Sequence, residues 1–291
     1  MALLEVPIFG VAEWIVVMYL KINDAGGSIL IHLFACYFGL GVTFMLYRPD
    51  LNDGHPKEIT SYNSDMLSVL GLSASTITAF ALSAMLSKNG KLNMADVQNV
   101  TLAGGVTVGA SVDMMISPVA AYVLGMMGGI ACMLGYKYLS PFLARRLHVQ
   151  DQCGIHNLHG LTGLISTLAA ICAILLASEE TYGPSLYQTF SYRAPVVGDP
   201  RLEELQKLIP GLEGGLGRTA QEQALYQVAA LGSTIAIAIV GGVLTGFVLR
   251  QPYLASPTDV FCFDDEPYFN IPPDQTYIIE NEKDISLQLV N

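Results

Sequence analysis

Charge is what this sequence has least of. Only 13% of its 291 residues are Asp, Glu, Lys or Arg, roughly half the share of an ordinary soluble domain. Basic residues are scarcer still, 14 against 25 acids, and they form no cluster of the kind that grips nucleic acid. The five cysteines, Cys36, Cys132, Cys153, Cys172 and Cys262, contain no Cys-x-x-Cys pair. Neither a disulfide framework nor a thiolate zinc site is expected; four of them sit in or beside apolar runs, where cysteine packs as a small apolar residue. The G-x-S-x-G, P-loop and H-E-x-x-H patterns are missing as well, so no serine hydrolase, nucleotide hydrolase or metalloprotease is expected. No enzyme chemistry and no cofactor is indicated. The first apolar run also lacks the basic start and small-residue cleavage site of a signal peptide, and it carries Glu5 and Glu13.

What fills the space is apolar sequence: 52% of residues, with mean hydropathy +0.46. It comes in seven runs, about 3–20, 25–47, 66–87, 100–120, 119–140, 155–177 and 224–249. A helix crosses a bilayer core with about 20 such residues. Short turns between long apolar blocks favour helices over a barrel, because each helix satisfies its own backbone. The expected fold class is all-α, a polytopic membrane helical bundle with about seven spans over residues 1–250, including an extracellular loop at 178–221. The remainder, 251–291, holds eight acids against Lys283 alone and reads as an acidic cytoplasmic tail. Gly105 with Gly109, Gly125 with Gly129, Gly242 with Gly246, and Ala35 with Gly39 have the small-xxx-small spacing of close helix contacts.

Basic residues in short loops mark the cytoplasmic face. They gather at Arg48 and Lys57, at Lys88 and Lys91, at Arg145 and Arg146, and at Arg250. Even numbers of spans separate the last three groups. A single run, 66–87, separates the first from the second, and that parity is inconsistent. Its apolar part, Met66 to Leu86, is long enough for one crossing and too short for two. Its centre, with Ser73, Ser75, Thr76 and Thr78, is polar, but helical hydroxyls can bond their own backbone. The expectation is a single crossing helix, which would place 48–60 opposite Lys88 and separate the approach of His32 from that of His159.

Two histidines stand at matched depth. In "DAGGSILIHLFACYFGLG", Asp24 is positioned to cap a helix and His32 follows eight residues later. In "DQCGIHNLHG", Asp151 is the cap and His159 again follows by eight. Eight residues advance about 12 Å along a helix. Entering a core about 30 Å thick from opposite faces, the two imidazoles would meet near the midplane, as polar groups do in inverted-repeat transporters. His156 lies one turn before His159 and suits a vestibule position. Cys153 with His156 and His159 is a poor metal set, lacking a carboxylate or a second thiolate at ligand spacing. His55 and His148 belong to polar loops.

Three stretches together resemble one family. "DAGGSILIHLFACYFGL", "KLNMADVQNVTLAGGVTVGAS" and "LARRLHVQDQCGIHNLHGLTG" are similar to the Rhesus (Rh) branch of the ammonium transporters, and the likeness runs to "CFDDEPYFNIPP" in the tail. The resemblance implies a fold of eleven or twelve spans per subunit, trimers, and a pore for ammonia through each subunit, whose midplane histidine pair falls on His32 and His159. Asp24 matches an acid that starts the first histidine helix and is expected to act as a structural anchor, as Asp151 does for the second. Glu13 matches an acid of the preceding helix.

Set beside the family, the sequence is expected to lack the first spans, before "EVPIFGVAEW", and "SDMLSVLGLSASTITAF" to fuse two ends that the family keeps about thirty residues apart. The expectation is ammonia or ammonium transport in the plasma membrane, within the lipid bilayer and in a homo- or heterotrimer. The alternative is a non-conducting partial subunit that acts only as an interaction partner. Conduction by the chain alone is expected to be weak or absent, because loss of the early spans would leave one wall of the pore open to lipid or to a partner. A seven-helix receptor fits the span count but not the glycine-rich helices.

Overall fold

The computed structural model describes residues 2–24, 27–46, 69–87, 90–114, 116–151 and 154–251. The segment carrying Arg48, His55 and Lys57, residues Lys88 and Cys153, and the acidic tail lie outside them.

Each apolar run becomes a helical rod. α1 (Ala2–Glu13) continues through wider π-helical turns over Trp14–Tyr19. α2 opens π-helical over Ser28–Leu33 and becomes regular over Phe34–Leu46. α3 is Val69–Leu86 and α4 is Met94–Gly109. α5 spans Pro118–Leu147 and α6 His156–Leu176. A short helix, α7 (Pro200–Leu208), precedes the last rod, α8 (Ala220–Leu249). By length and apolarity α5, α6 and α8, at 30, 21 and 30 residues, can each cross a membrane, while the apolar parts of α2 (Ser28–Val42) and α3 (Leu70–Leu86) are shorter. Among the described residues there is no strand.

One boundary differs from the sequence reading. The fourth run, expected at 100–120, folds as Met94–Gly109. The helix therefore takes in the polar "MADVQN" and stops short of the apolar "MMISP". Ser117 forces the new start: its hydroxyl accepts from the Ala120 N–H at 3.1 Å, and Pro118 occupies the first helical position, where its missing N–H costs nothing.

Within the fused segment, Val69–Leu86 forms one unbroken helix. Its polar centre is satisfied locally. Ser73 Oγ donates to the Leu70 carbonyl, Thr76 Oγ1 to Leu72 and Thr78 Oγ1 to Ala74, while Ser75 Oγ reaches Thr101 on α4 at 2.6 Å.

Two packed groups make the body. α1, α2 and α8 share a core of Ala12, Val16, Phe34, Phe38, Val42 and Ala238. α3, α4, α5 and α6 share a second, around Ala79, Val100, Ala103, Cys132 and Leu158. Glycines set both distances. A Cβ on Gly104 of α4 would stand 2.0 Å from the Gly71 carbonyl oxygen of α3, and one on Gly125 of α5 would stand 2.4 Å from the same atom. In the Ala35–Gly39 spacing, Gly39 has open space where a side chain would be. It is Gly41 that lies against the α8 backbone, with a Cβ position 2.9 Å from the Ile239 oxygen.

Residues 178–219 are folded, not merely connecting. Tyr182, Leu186, Tyr187, Phe190, Leu202 and Leu205 are buried together against Ala110 and Met114 after α4 and Ile174 of α6. Ser178 and Asp199 cap the short helices that follow them, and Glu179 takes both the Tyr187 hydroxyl and the Arg201 guanidinium.

This cap is fastened to the turn before α2. Arg218 Nη1 donates to the carbonyls of Leu20 and Lys21, both at 2.9 Å, and to Gln223 Oε1 at 3.0 Å. Its guanidinium lies 3.7 Å over the Tyr226 ring. Gln227 and Gln223 hold Asn23 from α8, and Asn23 Nδ2 donates to Thr189 of the cap at 2.9 Å. Burial moves the guanidinium below its ordinary pKa range, against the pull of Tyr226, Tyr192 and Glu222. Arg218→Ala would remove the donor to the Leu20 carbonyl and to Gln223 Oε1, while the Lys21 carbonyl keeps its bond from Gln223 Nε2 at 3.2 Å; each acceptor left unsatisfied costs on the order of 1–3 kcal/mol. The variant is expected to melt several degrees below the parent in detergent, with Arg218→Lys intermediate because an ammonium lacks the planar fork. Equal melting temperatures would remove this fastening role.

Candidate functional site

The site is built on two helix starts. Before α2 the chain turns through Gly27 at φ +65°, a left-handed conformation that glycine adopts freely. Asp24 then accepts the N–H groups of Ile29 and Leu30 through Oδ2, each at 3.0 Å. These are orphan donors of a helix start, and a carboxylate satisfies them while complementing the helix dipole. Before α6, Asp151 accepts the His156 N–H at 3.2 Å. The two starts are alike in a second respect: each opens with a π-helical stretch, Ser28–Leu33 and His156–Leu161. Such stretches are rare and recur at functional positions. His32 sits in the first and His159 in the second.

The imidazoles meet. His32 Nδ1 and His159 Nδ1 are 3.0 Å apart, and the rings are parallel within 5° at a centroid separation of 5.0 Å. The residues are 127 positions apart in the chain, so α2 and α6 bring them together. Both rings are half-buried. A contact between two Nδ1 atoms needs one proton between them if both rings are neutral. The Nε2 atoms then differ: one carries N–H and can donate, the other is bare and can accept.

The continuous helix α3 and the histidine pair exist together. On the sequence alone these are alternatives, because a crossing α3 would reverse the approach of one histidine. The residues between Leu46 and Val69, which would set the sides, lie outside those described.

The neighbours of the pair are apolar or weakly polar. Cys36 lies one turn beyond His32 and is buried; a Cβ on Gly160 would come 2.8 Å from its Sγ. His156, half-buried, meets the Tyr37 ring edge-on at 6.0 Å. Asn157, wholly buried, donates through Nδ2 to Ser140 Oγ at 2.6 Å and so ties the start of α6 to α5. Tyr37, Asn157 and Cys36 carried no signal in the sequence, since each is ordinary helix composition. Cys36 and Cys132 are buried, and Cys172 is an exposed thiol on α6, so the reading of the cysteines as core residues fails for that one. Among the described residues no three His, Cys, Asp or Glu side chains could hold a metal ion together.

A bundle of apolar helices with two imidazoles in contact inside it defines the class: a polytopic helical membrane protein with a polar pair held between two of its helices. Comparison with known proteins makes the class specific. Residues 2–74 and 72–256 match the profile of the Ammonium Transporter Family, and the chain belongs to that family. The two matched blocks meet inside α3, in the segment that the sequence marked as fused. The chain is 36% identical to the ammonium transporter Rh type B of Xenopus tropicalis over 97% of its length, and 36% identical to that of Mus musculus over 94%. It spans 65% and 63% of those two relatives. In fold it is similar to Rh50 of Nitrosomonas europaea, with TM-score 0.63 and 23% identity, over 99% of this chain and 72% of that one.

Proposed function

We propose that the chain conducts ammonia, delivered as ammonium, along a path that passes the His32–His159 pair. The observation that carries this reading is the 3.0 Å contact between the two Nδ1 atoms inside an apolar bundle. A cation at the centre of a membrane is expensive, and passing the neutral form lowers that barrier. Neutral ammonia still needs hydrogen-bonding partners once its water is removed. The pair supplies one donor and one acceptor at Nε2 while its own Nδ1 contact stays closed. Asp24 and Asp151 serve as anchors of the two helix starts, and His156 stands near the mouth of the site. We place the protein in the plasma membrane as a trimer, as the resemblance to the Rh branch implies, with the loop 178–221 extracellular and the acidic tail cytoplasmic, on the side marked by the basic residues Arg145, Arg146 and Arg250.

The test is uptake of labelled methylammonium, with ammonia-driven pH change as a second readout, in cells that lack their own ammonium transporters. Saturable uptake above the vector control, though weak because the early spans that complete the pore wall in the family are not in this chain, is the expected result. Surface-expressed protein that moves neither probe would overturn the reading and leave the interaction-subunit alternative.

A further inference from the structure

The histidine helices touch at a second point. Ser28 lies four residues before His32 in α2, and Ser166 seven residues after His159 in α6; each therefore shares a face with its histidine. Both serines are wholly buried. The Ser166 hydroxyl donates to Ser28 Oγ at 3.2 Å, across 138 positions of sequence. The chain of bonds continues in both directions. Ser28 Oγ donates to the Val106 carbonyl at 3.0 Å, and the Ala110 N–H donates to Ser166 Oγ at 3.0 Å.

Val106 and Ala110 are four apart, the two groups that the last turn of a helix joins to each other. They bracket the end of α4 at Gly109. Two side chains from two other helices thus bridge this pair of backbone groups, as inserted hydroxyls do where a helical ladder opens. Gly163 lets the backbones come this close: a Cβ there would meet the Ser28 carbonyl oxygen at 3.1 Å. α2 and α6 run antiparallel here, 28 facing 166 and 32 facing 159. Two contacts on two antiparallel rods fix their spacing and rotation, and α4 anchors one of the two.

We propose that Ser28 and Ser166 are positioning residues for the His32–His159 pair: their relay to Val106 and Ala110 of α4 sets the gap between the imidazoles. This rests on the conduction reading for its consequence, though not for its geometry. Neither serine touches the permeating molecule. Each acts through the helix that carries its histidine.

The experiment has two arms. In the first, methylammonium uptake is measured for Ser28→Ala, Ser166→Ala and the double variant at matched surface expression. Each single change is expected to lower the maximal rate about three- to tenfold with little change in KM, and the double change to be no worse than the weaker single one, because residues in one network are not additive. Ser166→Cys, which keeps the side-chain volume, replaces any alanine variant that fails to reach the membrane. Single effects that multiply, or parental rates throughout, would overturn the proposal. In the second arm, electron cryomicroscopy of the parent and the double variant reads the distance between the two Nδ1 atoms. A gap opened beyond about 3.5 Å, outside hydrogen-bonding range, supports the positioning role; an unchanged gap refutes it. A parent that moves no methylammonium would fail the conduction reading, and the measured gap would still decide the role of the serines.

Discussion

His159→Ala is expected to lower methylammonium uptake by about ten- to a hundredfold while the protein still reaches the membrane. A desolvated molecule that loses a hydrogen-bond partner loses about 1–3 kcal/mol, and every 1.4 kcal/mol is tenfold. The substitution also leaves His32 Nδ1 without the partner it meets at 3.0 Å, so its tautomer is no longer fixed. His32→Ala is expected to fall by a similar factor, for the same reason from the other side. The double variant should resemble either single one, because a pair that shares one proton is disabled by losing either ring. His156→Ala is the informative control. Its ring meets Tyr37 edge-on and takes no part in the Nδ1 contact, so uptake should change by less than about threefold. Uptake unaffected by His159→Ala, or abolished equally by His156→Ala, would move the site away from the pair.

The pair was legible in the sequence because its position repeats a rule. Asp24 to His32 and Asp151 to His159 are both eight residues, and both acids hold the backbone of the helix start that carries the histidine. The rods were legible for the reason membrane helices usually are: an apolar run of that length has no other way to satisfy its backbone. The limit of hydropathy appears at α4, which begins in polar sequence and ends before the apolar run does. A cap at Ser117 before Pro118, a signal that hydropathy does not weigh, and hydroxyls from two other helices, which leave no trace in local composition, decide that boundary.

The cap at 178–219 was less legible still. Its mixed charges read as a long loop, while its core residues are scattered over Tyr182, Leu186, Phe190, Leu202 and Leu205 without a sustained period. They fold because the ends of α4 and α6 offer an apolar platform, which only the assembled bundle provides. Arg218 is a similar case. A single arginine in a loop looks solvated, and its role comes from the carbonyls of Leu20 and Lys21, nearly 200 residues away. The serine relay was invisible for the opposite reason. Serines at helical spacing from a histidine are common, and only their contact in space separates Ser28 and Ser166 from the rest.

Gly242→Ala is expected to harm both stability and uptake, and Gly232→Ala on the same helix to harm neither. At Gly242 a Cβ would stand 2.1 Å from the Phe38 carbonyl oxygen and 2.9 Å from its carbon. Both are backbone atoms that no rotamer can move aside. Ordinary contact lies at 3.4–4 Å, so α8 and α2 must move apart or rotate to admit the methyl group. Overpacking of this kind costs typically about 1–3 kcal/mol, occasionally more. The displaced helix carries His32 one and a half turns before Phe38, so the strain falls on the rod that presents one ring of the pair. At Gly232 nothing lies within 4 Å of the same atom, and alanine there gains about 1 kcal/mol of helix propensity. Substituting the two positions one at a time separates a glycine needed for close approach from one that merely lies in a helix. The expected outcome is a melting temperature lowered by several degrees and uptake reduced severalfold for Gly242→Ala, with parental values or better for Gly232→Ala. If Gly242→Ala melted and conducted like the parent, α8 and α2 could not be as close as the Phe38 contact requires, and the placement of His32 would have to rest on α6 and α4 alone.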